Sequence, residues 1–169
     1  MSFRNDFEWA QRFMPDVKQH IGPLLLEEAS LDRDQSEATD LIVLTARDMR
    51  IGVRIRRPGY AERYPNEFTI RAYRDSGAQT ELGKIINGWG DWLFYGHAMD
   101  GASVRVCPWM VVDLKRLRSL WIRHPLREAL ADAKWCGRKS NGDGTHFVWF
   151  DVSRMPSDIL VGQGGATCP

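Results

Sequence analysis

The chain has 169 residues, enough for one domain with a sizeable core. Hydrophobic residues make up 43% and charged residues 27%, and the formal net charge is +1. That balance belongs to an ordinary globular protein and removes any case for nucleic acid from bulk charge alone.

The N-terminus, "MSFRNDFEWAQ", is charged and aromatic, without the apolar centre of a signal peptide. No apolar run reaches the roughly 18 residues a bilayer requires. A cytoplasmic protein without membrane contact is expected. Cys107, Cys136 and Cys168 are odd in number and far apart, which argues against a zinc site or a disulfide framework. Cys107 is expected to pack as a small apolar residue.

In chain order, "DFEWAQRFMPDVKQHIG" predicts helix, with Phe7, Ala10, Phe13, Val17 and Ile21 at roughly helical spacing. Pro15 fits either a kink or the first turn of a second helix. "LLLEEASL" fits a helical turn or a short strand. "DLIVLTA" predicts a strand covered on both faces, with Asp40 at its head. "RIGVRIRR" alternates, setting Ile51, Val53 and Ile55 against Gly52, Arg54 and Arg56. After a Pro/Gly/Tyr-rich loop, "EFTIRAYR" alternates again. If these two strands pair, Arg54, Arg56 and Arg71 share one face. "AQTELGKIINGWG" predicts a helix capped by Thr80 and closed by Gly88 to Gly90. "DWLFYGHA" and "VRVCPWMVVDL" predict strands, with Pro108 marking an edge or a bulge. "LKRLRSLWIRHPLREALADAKW" predicts a basic amphipathic helix broken near Pro125. "CGRKSNGDGT" predicts a loop, "HFVWFDV" the last strand and "SRMPSDIL" a helical turn. A single domain over 1–160 with a loose tail over 161–169 follows. Its class is α+β or α/β, with a mixed central sheet flanked by helices.

Charge segregates along this frame. Residues 27 to 40 carry six acids against Arg33. Residues 47 to 74 carry eight arginines, three acids and no lysine. Guanidinium grips phosphate with two parallel hydrogen bonds, so Arg54, Arg56, Arg57, Arg71 and Arg74 are candidate holders of a nucleic-acid backbone. The plainer alternative is a solvated face paired with Glu62 and Glu67. Divalent cations of the Mg²⁺ type take carboxylates together with phosphate and water. Asp40 at a strand start, with Glu27 or Glu28 upstream and Glu67 on a neighbouring strand, suits that chemistry. Otherwise Asp40 flanks a strand and the acidic run is solvated. Glu81 and Lys84, on one helix face, read either as ligand and charge stabiliser or as a surface ion pair. His97 shares a strand face with Tyr95 and is either structural or active in acid–base or phosphate chemistry. Trp89, between glycines, is a candidate stacking platform. Nucleophile elbow, P-loop, dinucleotide fingerprint and zincin motifs are absent.

A helix before "ATDLIVL", then the strand "IGVRIRR", the helix "TELGKI" and a further strand together resemble the core of the PD-(D/E)XK nuclease-like superfamily. The chain also resembles small proteins of bacteriophages and prophages. The first resemblance implies a restriction-endonuclease-like core cleaving DNA phosphodiesters with Mg²⁺. Asp40 matches the family's first acid. The acid-x-Lys of the next strand reads Gly52-Val53-Arg54 here. Its groups would have to come from Glu67, or from Glu81 and Lys84 on the helix. The implied catalytic set is Asp40, Glu67, Glu81 and Lys84, with Asp40 and Glu28 as metal ligands. The expected partner is nucleic acid, DNA ahead of RNA, in the cytoplasm of a bacterial host. The alternative is a non-catalytic module binding nucleic acid, or a host or phage protein.

Overall fold

Phe13, Val17 and Ile21 repeat at helical spacing because one face of the N-terminal helices is buried. The computed structural model describes residues 3–28, 41–43, 49–77, 80–123 and 135–165, with backbone alone at 3–4, 6, 26–28, 41–43 and 121–123. Helices α1 (Phe3–Gln11) and α2 (Met14–Ile21) are separate, and Pro15 lies in the first turn of α2, where its missing N–H costs nothing. Asp16 ties α2 to the body of the protein by accepting from the Val106 backbone N–H at 2.7 Å. A 3-10 turn over Gly22–Leu25 leads into β1 (Leu26–Glu28), which pairs antiparallel with β2 (Leu41–Val43). The remainder of the strand expected over 40–46 lies outside the described residues.

Two further sheets carry the fold. The first is mixed, in the order β3–β5–β6–β9: β3 (Ile51–Arg56), β5 (Trp92–Ala98), β6 (Val106–Asp113) and β9 (Leu160–Gly164). β3 runs parallel to β5, and the other pairings are antiparallel. The second sheet is antiparallel, in the order β4–β8–β7: β4 (Glu67–Arg74), β8 (Thr145–Asp151) and β7 (Cys136–Ser140). Helices α3 (Glu81–Ile86) and α4 (Leu114–Arg123) and the 3-10 turns Val152–Arg154 and Ser157–Ile159 complete the described part. The architecture is α+β. Among the described residues no helix is long and apolar enough to cross a membrane.

Alternation along the mixed sheet sorts side chains into two cores. Phe94, Ala98, Val106, Val111 and Ile55 face α1 and α2, meeting Phe13, Val17 and Ile21. Leu93, Tyr95, Met110 and Val112 face the other way, joining Phe68, Ile70, Val148 and Phe150 of the second sheet and Leu82 and Leu117 of the helices. Fully burying each of the larger side chains contributes about 1.5–3 kcal/mol.

Several expectations need correction. β3 and β4 do not pair; they belong to different sheets. The chain between them carries Pro58, Gly59 and Pro65 and is too long for a tight hairpin. The apolar face of β3 is satisfied instead beside β5, over the N-terminal helices. Residues 161–164, expected to belong to the loose tail, are part of β9. "CGRKS", read as loop, is β7. In both strands a glycine concealed the pattern. Gly164 lies opposite Trp109, and a Cβ there would meet the indole at 2.8 Å; Gly137 lies opposite Trp149, where a Cβ would meet that ring at 2.5 Å. Each glycine gives room for a tryptophan to lie across the neighbouring strand. Thr80 precedes α3, yet its hydroxyl donates to the Ala72 carbonyl at 2.5 Å rather than capping the helix. Pro108 marks a bulge: β6 is an inner strand, and its register against β5 shifts between Gly96 and Ala98. Cys107 is disulfide-bonded, not a free packing residue; Cys136 is free and buried.

Candidate functional site

One face of the second sheet, Phe68, Ile70, Val148 and Phe150, is committed to the core. The alternate residues Glu67, Thr69, Phe147 and Trp149 turn the other way and meet Arg56, Tyr95 and His97 of the first sheet. Between them is a pocket of about 240 Å³. Tyr60 and Tyr64 of the β3–β4 loop, with Lys139 and Asn141 at the end of β7, close its sides. Five aromatic rings therefore surround two cations, one carboxylate and one imidazole. That is below the roughly 300–1,000 Å³ of pockets for drug-sized ligands, so a single ring system with a substituent fits.

The loop rings are anchored by the cations. Arg56 stacks on Tyr60 at 4.3 Å from the ring centroid, and Lys139 sits 5.5 Å from that of Tyr64. Tyr95 shares a hydrogen bond with Thr69 at 3.2 Å, joining the two sheets at the pocket floor. Glu67 stands opposite Asp151 in the β4–β8 ladder. Burial pushes the Glu67 carboxyl above its ordinary value, and the Asp151 charge adds to the rise while Lys139 opposes it. Asp151 itself holds Ser153 N–H at 3.0 Å and Arg154 at 3.2 Å.

His97 is the most unusual group here. It is 3% exposed, and no described residue bonds either ring nitrogen. Burial lowers its pKa to about 4, with the adjacent Arg56 charge adding to the fall, so the ring is neutral near pH 7. Its position explains the orphaned nitrogens. It lies at the β5–β6 bulge, where neighbouring strand atoms are out of register, and bulges re-aim side chains. It also borders a second cavity of about 720 Å³, walled by Trp109, Pro108 and Asn66.

The five arginines have different settings. Arg54 is 14% exposed at its side chain and pairs with Glu81 at 2.6 Å. The same Glu81 oxygen accepts from the Arg71 backbone N–H at 3.1 Å. Arg54 and Arg71 both lie over the Phe147 ring, at 5.3 and 5.9 Å. They thus converge across two sheets, not along one. Arg56 enters the pocket. Arg57 faces away, stacked on Trp9 at 4.0 Å. Arg74 lies at the far end of β4, close enough to Asp143 to lower that carboxyl's pKa after the Thr145 hydrogen bonds.

Of the expected catalytic set, Glu67 lines the pocket and Glu81 is engaged in the Arg54 clamp. Lys84 is exposed in the last turn of α3 and is not among the pocket-lining residues. Asp40 lies outside the described residues, as does the Glu28 side chain; the Glu28 backbone pairs with Leu41, which follows Asp40 in the chain. Among the described residues no group of three or more His, Cys, Asp or Glu is placed to hold a metal ion. The aromatic walls and Lys139 escaped the sequence reading because they come from three distant segments. Trp89 is 60% exposed, with Arg50 over its ring at 5.5 Å. Elsewhere, His146 donates from Nε2 to Asp75 at 2.9 Å, leaving Nδ1 to accept from Ser140 at 2.8 Å. Ser140 and Asp75 are exposed, and the two bonds tie β7 and β8 to the turn that follows β4. No protein-family model, no curated protein and no solved structure matches the chain.

Proposed function

We propose that the protein is a nucleic-acid-associated binding module that holds a single strand, DNA ahead of RNA, over the cleft between its two main sheets. One observation carries this reading: Arg56 and Lys139 stand in a pocket walled by Tyr60, Tyr64, Phe147 and Trp149, with Glu67 as the opposing charge. Single-strand binders pair cations that track phosphates with aromatic rings on which bases stack, each stacked base contributing about 1–3 kcal/mol. The Arg54–Glu81–Arg71 cluster beside Phe147 fixes one wall. The test is fluorescence anisotropy with labelled single- and double-stranded DNA and RNA across a salt series. The expected result is salt-sensitive binding favouring single strands. Arg56→Ala and Lys139→Ala should each weaken it and reduce the salt slope by about 1. Binding that ignores salt and both substitutions would refute the reading.

A second reading, Mg²⁺-dependent cleavage of DNA phosphodiesters, has one observation in its favour. Glu67 faces Asp151, and their repulsion is of the kind a divalent cation relieves. Mg²⁺ is commonly held through one or two carboxylates with phosphate and water completing its shell. Glu67 fits that limited role among the described residues, while Asp151 is occupied by Ser153 and Arg154. Mg²⁺ or Mn²⁺ would supply charge neutralisation at the phosphate. Incubation of labelled DNA with either ion, using Asp40→Ala and Glu67→Gln as controls, decides it. Cleavage lost in both variants supports catalysis, and binding without cleavage supports the module.

A further inference from the structure

We infer that the inter-sheet pocket takes one nucleobase bearing a phosphate, with the His97 ring bonding the base edge and Arg56 and Lys139 holding the phosphate. This rests on the nucleic-acid reading above and adds to it a specific recognition group. His97 is 97% buried by its 3% exposure, and neither nitrogen meets a described partner. Proteins seldom leave both polar atoms of a buried ring without protein bonds, because an unmade bond there costs about 1–3 kcal/mol. The ring borders the pocket and its nitrogens are closed off from solvent, so a ligand in the pocket supplies a partner to one of them through a small shift of the ring.

The chemistry of the ligand follows from the surroundings. A neutral imidazole offers one donor and one acceptor on nitrogens that point apart, so one of them can meet a donor or acceptor on the edge of a heteroaromatic ring. It does not offer the charge a bare phosphate prefers. Flat aromatic walls at Phe147 and Trp149 favour a planar ligand. Two cations against Glu67 favour an anionic one. A planar, hydrogen-bonding, anionic ligand of this size is a nucleoside monophosphate, free or as one unit of a strand. Gly137 sets the geometry of one wall, since the Trp149 ring lies where its Cβ would be.

The experiment titrates the full chain calorimetrically with dAMP, dCMP, dGMP and dTMP, and with two partial ligands: deoxyribose 5-phosphate, which lacks the base, and deoxyadenosine, which lacks the phosphate. At least one nucleotide should bind tighter than either partial ligand. His97→Phe should weaken that nucleotide about tenfold and leave deoxyribose 5-phosphate unchanged. His97→Gln, which keeps a donor and an acceptor, should recover part of the loss. Gly137→Ala, whose Cβ would meet the Trp149 indole at 2.5 Å and displace that wall without altering His97, should weaken the nucleotides as well and serves if His97→Phe fails to fold. Equal binding of nucleotides and deoxyribose 5-phosphate, indifference to both His97 substitutions, or no nucleotide binding would each overturn the inference. Oligonucleotide anisotropy on the same variants separates it from the parent reading. If Arg56→Ala abolishes strand binding while the His97 variants bind normally, the module stands and the base pocket falls. If mononucleotides bind through His97 but strands do not, the reverse holds.

Discussion

His97 makes the protein's stability depend on pH in a window where few other groups titrate. In the unfolded chain the imidazole has its ordinary value of 6.5, and in the fold about 4. The folded value is depressed, so the contribution of His97 is fully present above pH 6.5 and is lost as pH falls towards 4. Between those values the unfolded state binds a proton that the folded state refuses. At about 1.4 kcal/mol per pH unit the loss approaches 3 kcal/mol, a large part of the 5–15 kcal/mol typical of a domain. Among the described residues, the charged groups that border the ring's two cavities are Arg56, Glu67 and Lys139 on one side and Glu62 on the other. Of these, Glu67 shifts upward and titrates with the opposite sign. The comparison is therefore made between Glu67→Gln and Glu67→Gln/His97→Gln, so that shared terms cancel. Urea unfolding followed by tryptophan fluorescence at pH 7, 6, 5 and 4.5 supplies the free energies. The His97-containing chain should lose stability across this range faster than its partner, by about 2 to 3 kcal/mol in total. Parallel curves would mean that the imidazole protonates freely in the fold, and with that the neutral hydrogen-bonding ring would have no basis.

Glu67→Gln alone should stabilise the protein at pH 7. A raised carboxyl contributes fully below its ordinary value of 4.5 and loses that contribution as pH rises through the folded value, so the gain should vanish in acid; a thermal melt at pH 7 and pH 4 reads the difference. Glu81→Ala should cost about 1–3 kcal/mol, because it strips the partner from a largely buried Arg54 and the acceptor from the Arg71 N–H. In a double-mutant cycle with Arg54→Ala the coupling should exceed roughly 0.5 kcal/mol, and strict additivity would demote the pair to a solvated contact. Gly96→Ala should destabilise by about 1–3 kcal/mol, since its Cβ would come within 2.2 Å of Val106 Cγ1 on the next strand. A melting temperature equal to that of the parent would show that β6 yields more readily than its buried setting implies.

How far the sequence exposed this fold depended on whether a segment's pattern was set locally. β3 and β4 are each written in period-two alternation, and their faces were assignable without a structure, whereas β5 and β8 were legible as strands from their aromatic, nearly continuous apolar runs. β7 and β9 were hidden because the residues that make them strands sit elsewhere. Gly137 and Gly164 look like breakers until Trp149 and Trp109 are seen lying across them. Pairing was less legible than strand identity. The arginines of β3 and β4 were expected to meet along one ladder, whereas Arg54 and Arg71 meet through Glu81 and Phe147 from separate sheets. The pocket itself spans β3, the following loop, β4, β5, β7 and β8, and no local motif announces such a site. Its sequence-visible signs were Arg56 and Glu67, read as phosphate and metal groups, and His97, for which a structural role was the plainer reading and a chemical one the alternative.

The arginine-studded strand has a divided answer that follows from its geometry. Alternation sends Arg54 and Arg56 to the same face and Ile55 to the other. Along that face, two residues of rise, about 6–7 Å, separate their backbones. That distance is enough to change their settings. Arg54 falls beside the start of α3, where Glu81 neutralises it and locks helix to sheet. Arg56 falls beside His97 in the parallel ladder, where it stacks on the Tyr60 ring and lines the pocket. Arg57, one residue on, leaves the strand and packs on Trp9. A composition count weighs the three alike, yet a ligand phosphate gains least from Arg54, whose charge is already paired. Arg54→Lys should therefore lower stability more than affinity. Arg56→Lys should do the opposite, because a point charge there cannot hold both a ring and a phosphate in one plane. Equal effects of the two exchanges on strand binding and on unfolding would contradict this division of labour.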